Sequence, residues 1–299
     1  MDRFHQIQVF NAVAEEQGFA AAARRLRMSP PAVTRAITAL EQRLGVKLLH
    51  RTTRTVRTTE AGQRYLEDSR RVLTDMDIAD EAAAGVNVAP RGHLGITAPA
   101  LFGRLFVLPC IVEYLEQYPD VSVEAVFLDR VVNMMEEGLD VGIRIGELAD
   151  SSMRALKVGS IRMVTVAAPD YLARAGIPLA PDDLKQHATI ASLAGNNAMG
   201  WRYRMPDGEH SLRLQPRLTC NTNDAVIEAA SAGLGITRVL SYQAANHLRE
   251  GSLQTVLEQF EPPPRPIHIV HREDRNSSSK VRVLIDLMAE RLRAHPALN

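Results

Sequence analysis

The stretch that most constrains this chain runs from Phe19 to Thr58. Phe19 to Leu26 is a short, Ala-rich helical run, and Arg27 and Met28 interrupt it. Ser29 suits an N-cap, and Pro30 suits the first helical position, where a missing N–H costs nothing. Val33, Ile37, Leu40 and Leu44 then recur at helical spacing, and Gly45 is placed to cap the end. A short helix, a tight turn and a capped second helix make the geometry of a helix-turn-helix. Such a second helix can put its N-terminus into a DNA major groove, about 12 Å wide. A helix over residues 3–17, with Phe4, Ile7, Phe10, Val13 and Ala14 on one face and Gly18 ending it, precedes the motif. Val46, Leu48, Leu49, Thr52, Thr53, Thr55, Val56 and Thr58, with Arg51, Arg54 and Arg57 between them, read as a small basic hairpin after it.

Candidate DNA-contacting residues follow from that geometry. Ser29, Pro30, Pro31, Ala32 and Thr34 are small or compact at the front of the second helix, and Arg35 and Thr38 lie behind them. Arg51, Thr52, Thr53 and Arg54 of the hairpin offer donors to flanking phosphates or the minor groove. The alternative is an ordinary three-helix subdomain with these residues on its surface. Charge distribution bears on the choice. Lys plus Arg equals Asp plus Glu over the chain, at 35 each, but residues 1–60 hold ten basic against five acidic side chains. Residues 91–299 hold 22 against 24. A basic head on a near-neutral body points to a polyanion as partner, here double-stranded DNA.

Thr59 is placed to cap a long helix from Glu60 to about Ala84, whose apolar stripe includes Tyr65, Leu66, Val72, Leu73, Met76, Ile78 and Ala79. A helix this long with a charged opposite face usually finds a partner helix. Residues 85–92 read as a linker. Beyond it strands and helices alternate: strands at His93–Thr97, Val121–Leu128 and Asp140–Ile145, and helices to about Tyr118 and near Val131–Glu137. That rhythm predicts an α/β body with a parallel sheet and crossover helices. Residues 261–266, rich in proline, break the rhythm, and a strand (Ile267–His271) and a helix (about Ser279–Ala294) close the chain. Leu105–Val112 is the longest apolar run; with Pro109 in it, it reads as a buried helix start and not a membrane span. No apolar leader begins the sequence, and Cys110 and Cys220 lack metal-like spacing, so a reducing cytoplasm is expected.

Ligands of open α/β sheets sit at the C-terminal ends of strands, near helix N-termini. The candidates there are Pro99, Ala100, Leu101 and Phe102 after the first strand, Asp129 after the second and Arg144 at the end of the third. Thr222 and Asn223 offer a fourth position, where Asn223 could cap the helix that follows. Arg144 suits a carboxylate, or equally an ion pair with Asp129, Glu147 or Asp150. Thr222 and Asn223 could equally be helix capping alone, and Asp129 a contact between subdomains or subunits. The sole tryptophan, Trp201, reads as core or interface. An enzyme is not indicated: there is no G-x-S-x-G, Walker-type loop or HExxH, and Gly233-Leu234-Gly235 lacks the rest of a dinucleotide fingerprint. His268 and His271 fall on opposite faces of a strand, so no metal pair is expected, and no cofactor is expected either.

The run AAARRLRMSPPAVTRAITALEQRLGVKLLHRTTRTVRTTEAG resembles the signature of LysR-type transcriptional regulators. Ala21-Ala22-Ala23, Leu40-Glu41, Leu44-Gly45, Arg51-Thr52 and Thr59-x-Ala61-Gly62 carry it. The segments APALFGRLFVLPCIVEYLEQYPDV and DVGIRIGELADSS are similar to the family's effector domain. The resemblance implies a winged helix-turn-helix over 1–59, a linker helix and hinge over 60–90, and an effector domain over 91–299 resembling periplasmic solute-binding proteins. Subdomain I would be about 91–163 and 268–299, and subdomain II about 164–267, with crossings near Val164–Pro169 and Pro266–His271. It further implies an unidentified small-molecule effector in the cleft, a homodimer through the linker helix, association of dimers into a tetramer, and RNA polymerase as a partner. Many members carry Gln where this chain has Pro30, and relatives that bind carboxylates often carry Ser or Thr where Pro99–Phe102 is apolar. A solute-binding protein without a DNA head, and an architectural DNA-binding protein without a ligand, are the competing classes.

Overall fold

A computed structural model describes residues 2–51, 56–84, 89–130, 132–148, 153–193, 200–272 and 278–298. The chain divides into two compact units, one built mainly on Met1–Val88 and the other mainly on the chain from Ala89 onward.

The first unit packs α1 (Arg3–Glu15), α2 (Phe19–Arg25) and α3 (Pro30–Leu44) around Val9, Phe10, Val13, Ala22, Val33, Ile37 and Leu40, all essentially inaccessible to solvent. Between α2 and α3 the backbone turns through Arg27, whose left-handed φ of +52° is unusual for a residue with a Cβ. Ser29 occupies the N-cap of α3, but its hydroxyl makes no cap bond; its carbonyl accepts from the N–H groups of Ala32 and Val33. Gly45, at φ +69°, ends α3 as its spacing predicts. Strands β1 (Leu49–Arg51) and β2 (Val56–Thr58) pair antiparallel, with Leu49 opposite Thr58. Helix α4 (Glu60–Ala84) follows, and the Thr59 hydroxyl accepts from the Gly62 N–H at 2.9 Å. Its first half is fixed to α1 by a buried Ser69–Asn11 hydrogen bond (2.7 Å) and an Arg70–Glu15 ion pair (3.2 Å).

The second unit holds two five-stranded sheets. It begins with β3 (Gly92–Ala98), a short α5 (Ala100–Phe102), a π-helical turn (Gly103–Val107) and α6 (Leu108–Gln117). Strands β4 (Val121–Phe127), β5 (Val141–Ile145) and β6 (Met153–Ile161) follow. The chain then passes to β7 (Met163–Ala167), α7 (Pro169–Ala175), β8 (Thr189–Ser192) and a hairpin of β9 (Trp201–Met205) and β10 (Gly208–Leu212). Next come β11 (Leu218–Cys220), α8 (Asn223–Ser231), β12 (Ile236–Leu240), α9 (Ser241–Glu250) and β13 (Gln254–Val256). It returns as β14 (Arg265–Arg272) and ends in α10 (Ser279–Ala294). The first sheet has the order β4-β3-β5-β14-β6 and the second β11-β8-β12-β7-β13.

Four expectations change. The sheets are mixed, not parallel: β14 runs antiparallel to β5 and β6, and β7 antiparallel to β12 and β13. The antiparallel strands are those at the crossings: β7 enters the second sheet from the first and β14 returns from the second, so neither is reached by a crossover helix within its own sheet. The helix expected near Val131–Glu137 is absent from the described part of that stretch: residues 134–138 form a turn closed by Gly138 at φ +65°, and Val132 and Met134 are buried against Val270. Val and Asn are poor helix formers, so local propensity did not oppose this packing. Leu105–Val112 is not buried throughout. Leu105, Leu108 and Val112 are exposed, while Phe106, Val107, Cys110 and Ile111 face the core. Finally, the chain crosses between sheets at Arg162, before the expected Val164–Pro169, and the return strand pairs with β6 from Arg265.

Candidate DNA-reading surface and effector site

The front of α3 is open. Ser29, Pro30, Pro31, Thr34 and Arg35 are exposed, and Ala32 and Thr38 are half-buried. The Thr34 hydroxyl donates to the Pro30 carbonyl (3.1 Å), which leaves its lone pairs outward. Arg35 makes no hydrogen bond or ion pair among the described residues, so its guanidinium is available to a ligand. By contrast, Arg25 is engaged with Glu15 (2.8 Å). Of the hairpin candidates, Arg51 lies in β1, and Thr52, Thr53 and Arg54 lie outside the described residues.

What holds the hairpin against α3 is a residue that sequence reasoning passed over. Glu41 is 3% exposed on the core side of α3. One carboxylate oxygen accepts from the N–H groups of Leu48 (3.0 Å) and Leu49 (3.2 Å), and the other pairs with Lys47 (2.8 Å). Burial pushes its carboxyl up, but these hydrogen bonds and the Lys47 charge outweigh that and hold it below the usual carboxylate value. Thr59 closes the same junction, its hydroxyl donating to the Lys47 carbonyl (2.8 Å) and its N–H to the Leu48 carbonyl (2.9 Å). Gly62 must be glycine here, because a Cβ would come within 1.9 Å of the Leu48 carbonyl oxygen. Leu40-Glu41 and Thr59-x-Ala61-Gly62 were visible as motifs; their joint task of seating the hairpin was not.

In the second unit, the first-strand loop is held by Asp129, whose carboxylate accepts from the Ala100 N–H (3.0 Å). Pro99 and Ala100 are half-buried, and Leu101 and Phe102 are buried. Asp129 therefore belongs with Pro99–Phe102. Arg144 is engaged otherwise: it donates to the carbonyls of Val132 and Ile143, both at 3.2 Å, and among the described residues it forms no ion pair with Asp129 or Glu147, while Asp150 lies outside them. Its burial disfavours the charged form. Thr222 is the N-cap of α8 without a side-chain bond, and Asn223 is a buried first helical residue, not a cap. No hydrogen bond among the described residues links either to the first-strand loop.

Phe106 and Tyr242 were missed. Phe102, Phe106 and Tyr242 form a cluster with ring centroids 4.8, 5.4 and 5.6 Å apart, joining the π-helical turn to the start of α9. Burial pushes the Tyr242 phenol up, and its oxygen accepts from the Gln243 amide. A π-helical turn is uncommon and recurs at functional sites. It fits tightly here: a Cβ at Gly103 would meet the Phe127 ring at 2.4 Å. Trp201 is buried among Tyr203, Leu184 and Ile236 in the second subdomain's core. Cys110 is buried and its thiol pushed up to about 11, which leaves it inert as a nucleophile.

Among the described residues no group of three or more His, Cys, Asp and Glu could hold a metal, and no helix is long and apolar enough to cross a membrane.

With these surfaces in hand, the chain was compared with known proteins. Residues 4–63 match "Bacterial regulatory helix-turn-helix protein, lysR family", and residues 88–293 match "LysR substrate binding domain". The Escherichia coli "HTH-type transcriptional activator AaeR" is 33% identical over 293 residues, covering 97% of this chain and 94% of that protein. The solved structure of CrgA, described as a LysR-type transcriptional regulator from Neisseria meningitidis, is 28% identical, covers 96% of this chain and 98% of its own, and superposes with a TM-score of 0.62. Full-length AphB, described as a Vibrio cholerae virulence activator, is 26% identical with a TM-score of 0.60, over 97% of this chain and 99% of its own.

Proposed function

Because the chain belongs to the LysR family of bacterial helix-turn-helix transcriptional regulators, we propose that it reads a specific operator with α3 and adjusts its output to a small molecule held between two α/β subdomains. DNA binding and regulation of transcription belong to the family. The operator contacts, the effector and the division into 1–59, 60–90 and 91–299 are this reading's own.

One observation carries it: the exposed, cationic front of α3, with Arg35 unengaged, beside a hairpin fixed by buried hydrogen bonds to Glu41. A rigid scaffold presenting unsatisfied donors is what recognition of base edges and phosphates needs. Arg35 reaches a base edge, Arg51 and Arg54 grip the flanking backbone, and Pro30 replaces side-chain readout by close approach. Two heads of a dimer would occupy successive major grooves roughly one turn, about 34 Å, apart. Exposed Val72 and Met76 on α4, four residues apart, support pairing through that helix. Two dimers would make a tetramer, RNA polymerase would be met at the promoter, and the cytoplasm, where the DNA lies, is the implied compartment. For the effector, the reading keeps the Pro99–Phe102 loop with Asp129 as one wall and Thr222–Asn223 as the opposite one. Neither catalysis nor a cofactor is part of the reading.

Hydroxyl-radical footprinting on the DNA upstream of the gene tests it. Two protected half-sites spaced by one or more helical turns are expected. Uniform protection along the fragment would instead favour an architectural protein without operator specificity.

A further inference from the structure

Arg238 is buried in the second subdomain without a partner. It lies on β12 at 8% exposure, and its guanidinium carbon stands 4.5 Å from the centroid of the Tyr203 ring. Its Nε is fully buried and unbonded, and among the described residues no hydrogen bond or ion pair reaches any of its nitrogens. Folding removes this charge from water and returns only a ring face, which is costly. Burial pushes it down to about 10, and the charge of Arg265 pushes the same way against Tyr203 and Glu261. Tyr203 is held in turn, its hydroxyl 2.9 Å from that of Thr165.

The neighbours add cations faster than anions. Arg265, half-buried at the start of β14, makes no hydrogen bond among the described residues, and burial and Arg202 both disfavour its charge. Glu261 is the carboxylate within electrostatic reach, but it forms no ion pair with Arg238. One of its oxygens pairs with Arg162 at 3.2 Å, and the other is buried without a partner. Arg162 and Arg238 thus both act on Glu261, which Glu258 also neighbours, while Arg265 acts on Arg238 and Arg202 on Arg265.

The position matters as much as the charge. Arg162 is the single residue between β6 and β7, and Glu261–Arg265 is the return between subdomains. Both connections between the two sheets therefore run through this cluster, and the Arg162–Glu261 pair ties one to the other.

We propose that Arg238, with Arg265 beside it, is the receptor for the carboxylate of a small apolar-bodied effector, and that its occupation is felt directly at the crossover. Tyr203 covers one face of the guanidinium and leaves its N–H edge for in-plane, bidentate bonding to a planar carboxylate. Phe260, partly buried against the apolar cluster that holds Tyr203, is the side chain that suits an apolar body. Glu261 counts against a doubly charged phosphate. This deepens the effector-domain reading and rests on it, while moving the anion receptor from Arg144 to Arg238.

The test is thermal unfolding of the full-length protein titrated with benzoate, acetate and inorganic phosphate, each at ionic strength matched with sodium chloride. Benzoate should raise the transition by at least ~2–4 °C, the shift that about 1 kcal/mol produces in a domain of this size. Arg238→Met should unfold no lower than wild type without benzoate, since it removes an unpartnered charge, and should lose the benzoate response. Arg144→Met should keep that response. Arg265→Met, at a less buried site, should shift the benzoate midpoint roughly tenfold and serves if Arg238→Met fails to fold. No benzoate or acetate shift in wild type, or an undiminished shift in the Arg238 and Arg265 variants, would overturn the proposal. A response to phosphate in place of benzoate would overturn the carboxylate assignment. Operator binding by the same sample separates the two readings: if it persists without a carboxylate response, only the Arg238 receptor falls.

Discussion

Glu41 has an ionised side chain inside an apolar core, and what it does there sets the first prediction. Replacing it with Ala leaves the Leu48 and Leu49 N–H groups without acceptors and should cost about 1–3 kcal/mol. Gln keeps an acceptor and should cost less; chemical denaturation of both variants measures the difference. Because its folded-state carboxyl is held below the ordinary value, its contribution is present above the unfolded pKa and is lost as pH falls through the folded one. Glu41→Gln should therefore flatten the acid limb of stability against pH below about 4.5. Arg35 carries the second prediction. A bidentate base contact is worth about 1–3 kcal/mol of discrimination, so Arg35→Ala should narrow the ratio of specific to non-specific binding by that amount. Equal loss on both DNAs would make Arg35 a phosphate contact. At this scale the sequence showed residue types better than partners. The exposure of Arg35 was legible because it follows from its place on the helix and needs no partner. Glu41 and Arg238 were not, since their roles depend on N–H groups and charges brought close only by the fold.

The elements show where local signals sufficed. Helix α3 begins at Pro30 and stops before Gly45 as read, because proline and glycine act through backbone geometry that no tertiary contact needs to supply. The last helix runs from Ser279 to Ala294, again as its periodicity predicts. The turn at 134–138 was misread because Val132 and Met134 are apolar at a spacing compatible with either helix or turn, and their burial against Val270 decides the outcome. The antiparallel strands were missed because β7 and β14 are the strands by which the chain enters the second sheet and returns to the first, and their direction follows from those crossings rather than from local composition. The third prediction belongs to α4. Its Val72 and Met76 are 46% and 44% exposed, apolar side chains that a partner helix would cover. Burial is worth about 1.5–3 kcal/mol per such side chain. Val72→Glu with Met76→Glu should weaken dimerisation at least ~100-fold by analytical ultracentrifugation. An unchanged association constant would remove α4 as the dimer seam.

For the whole molecule, two compact units with separate cores imply two partly independent unfolding units. Calorimetry should resolve two transitions, of which Glu41→Ala lowers one and a saturating carboxylate raises the other. A single transition that both shift together would mean the units unfold as one. The two-part organisation was legible because the basic charge is concentrated in the first 60 residues and the linker composition changes beyond them. The anion-receptor position was not legible, since Arg162, Arg238, Glu261 and Arg265 are scattered in sequence and meet only when both crossovers are built.

The central claim is that α3 reads sequence and does not merely hold phosphate. It is tested most directly by titrating full-length protein against the DNA upstream of its gene, by fluorescence anisotropy, across a salt series with competitor DNA, for wild type and Arg35→Ala. The account predicts binding by wild type that resists competitor and a selective loss for Arg35→Ala. Binding that competitor removes in both proteins, with the same steep salt dependence, would contradict it and reduce the head to a non-specific anchor.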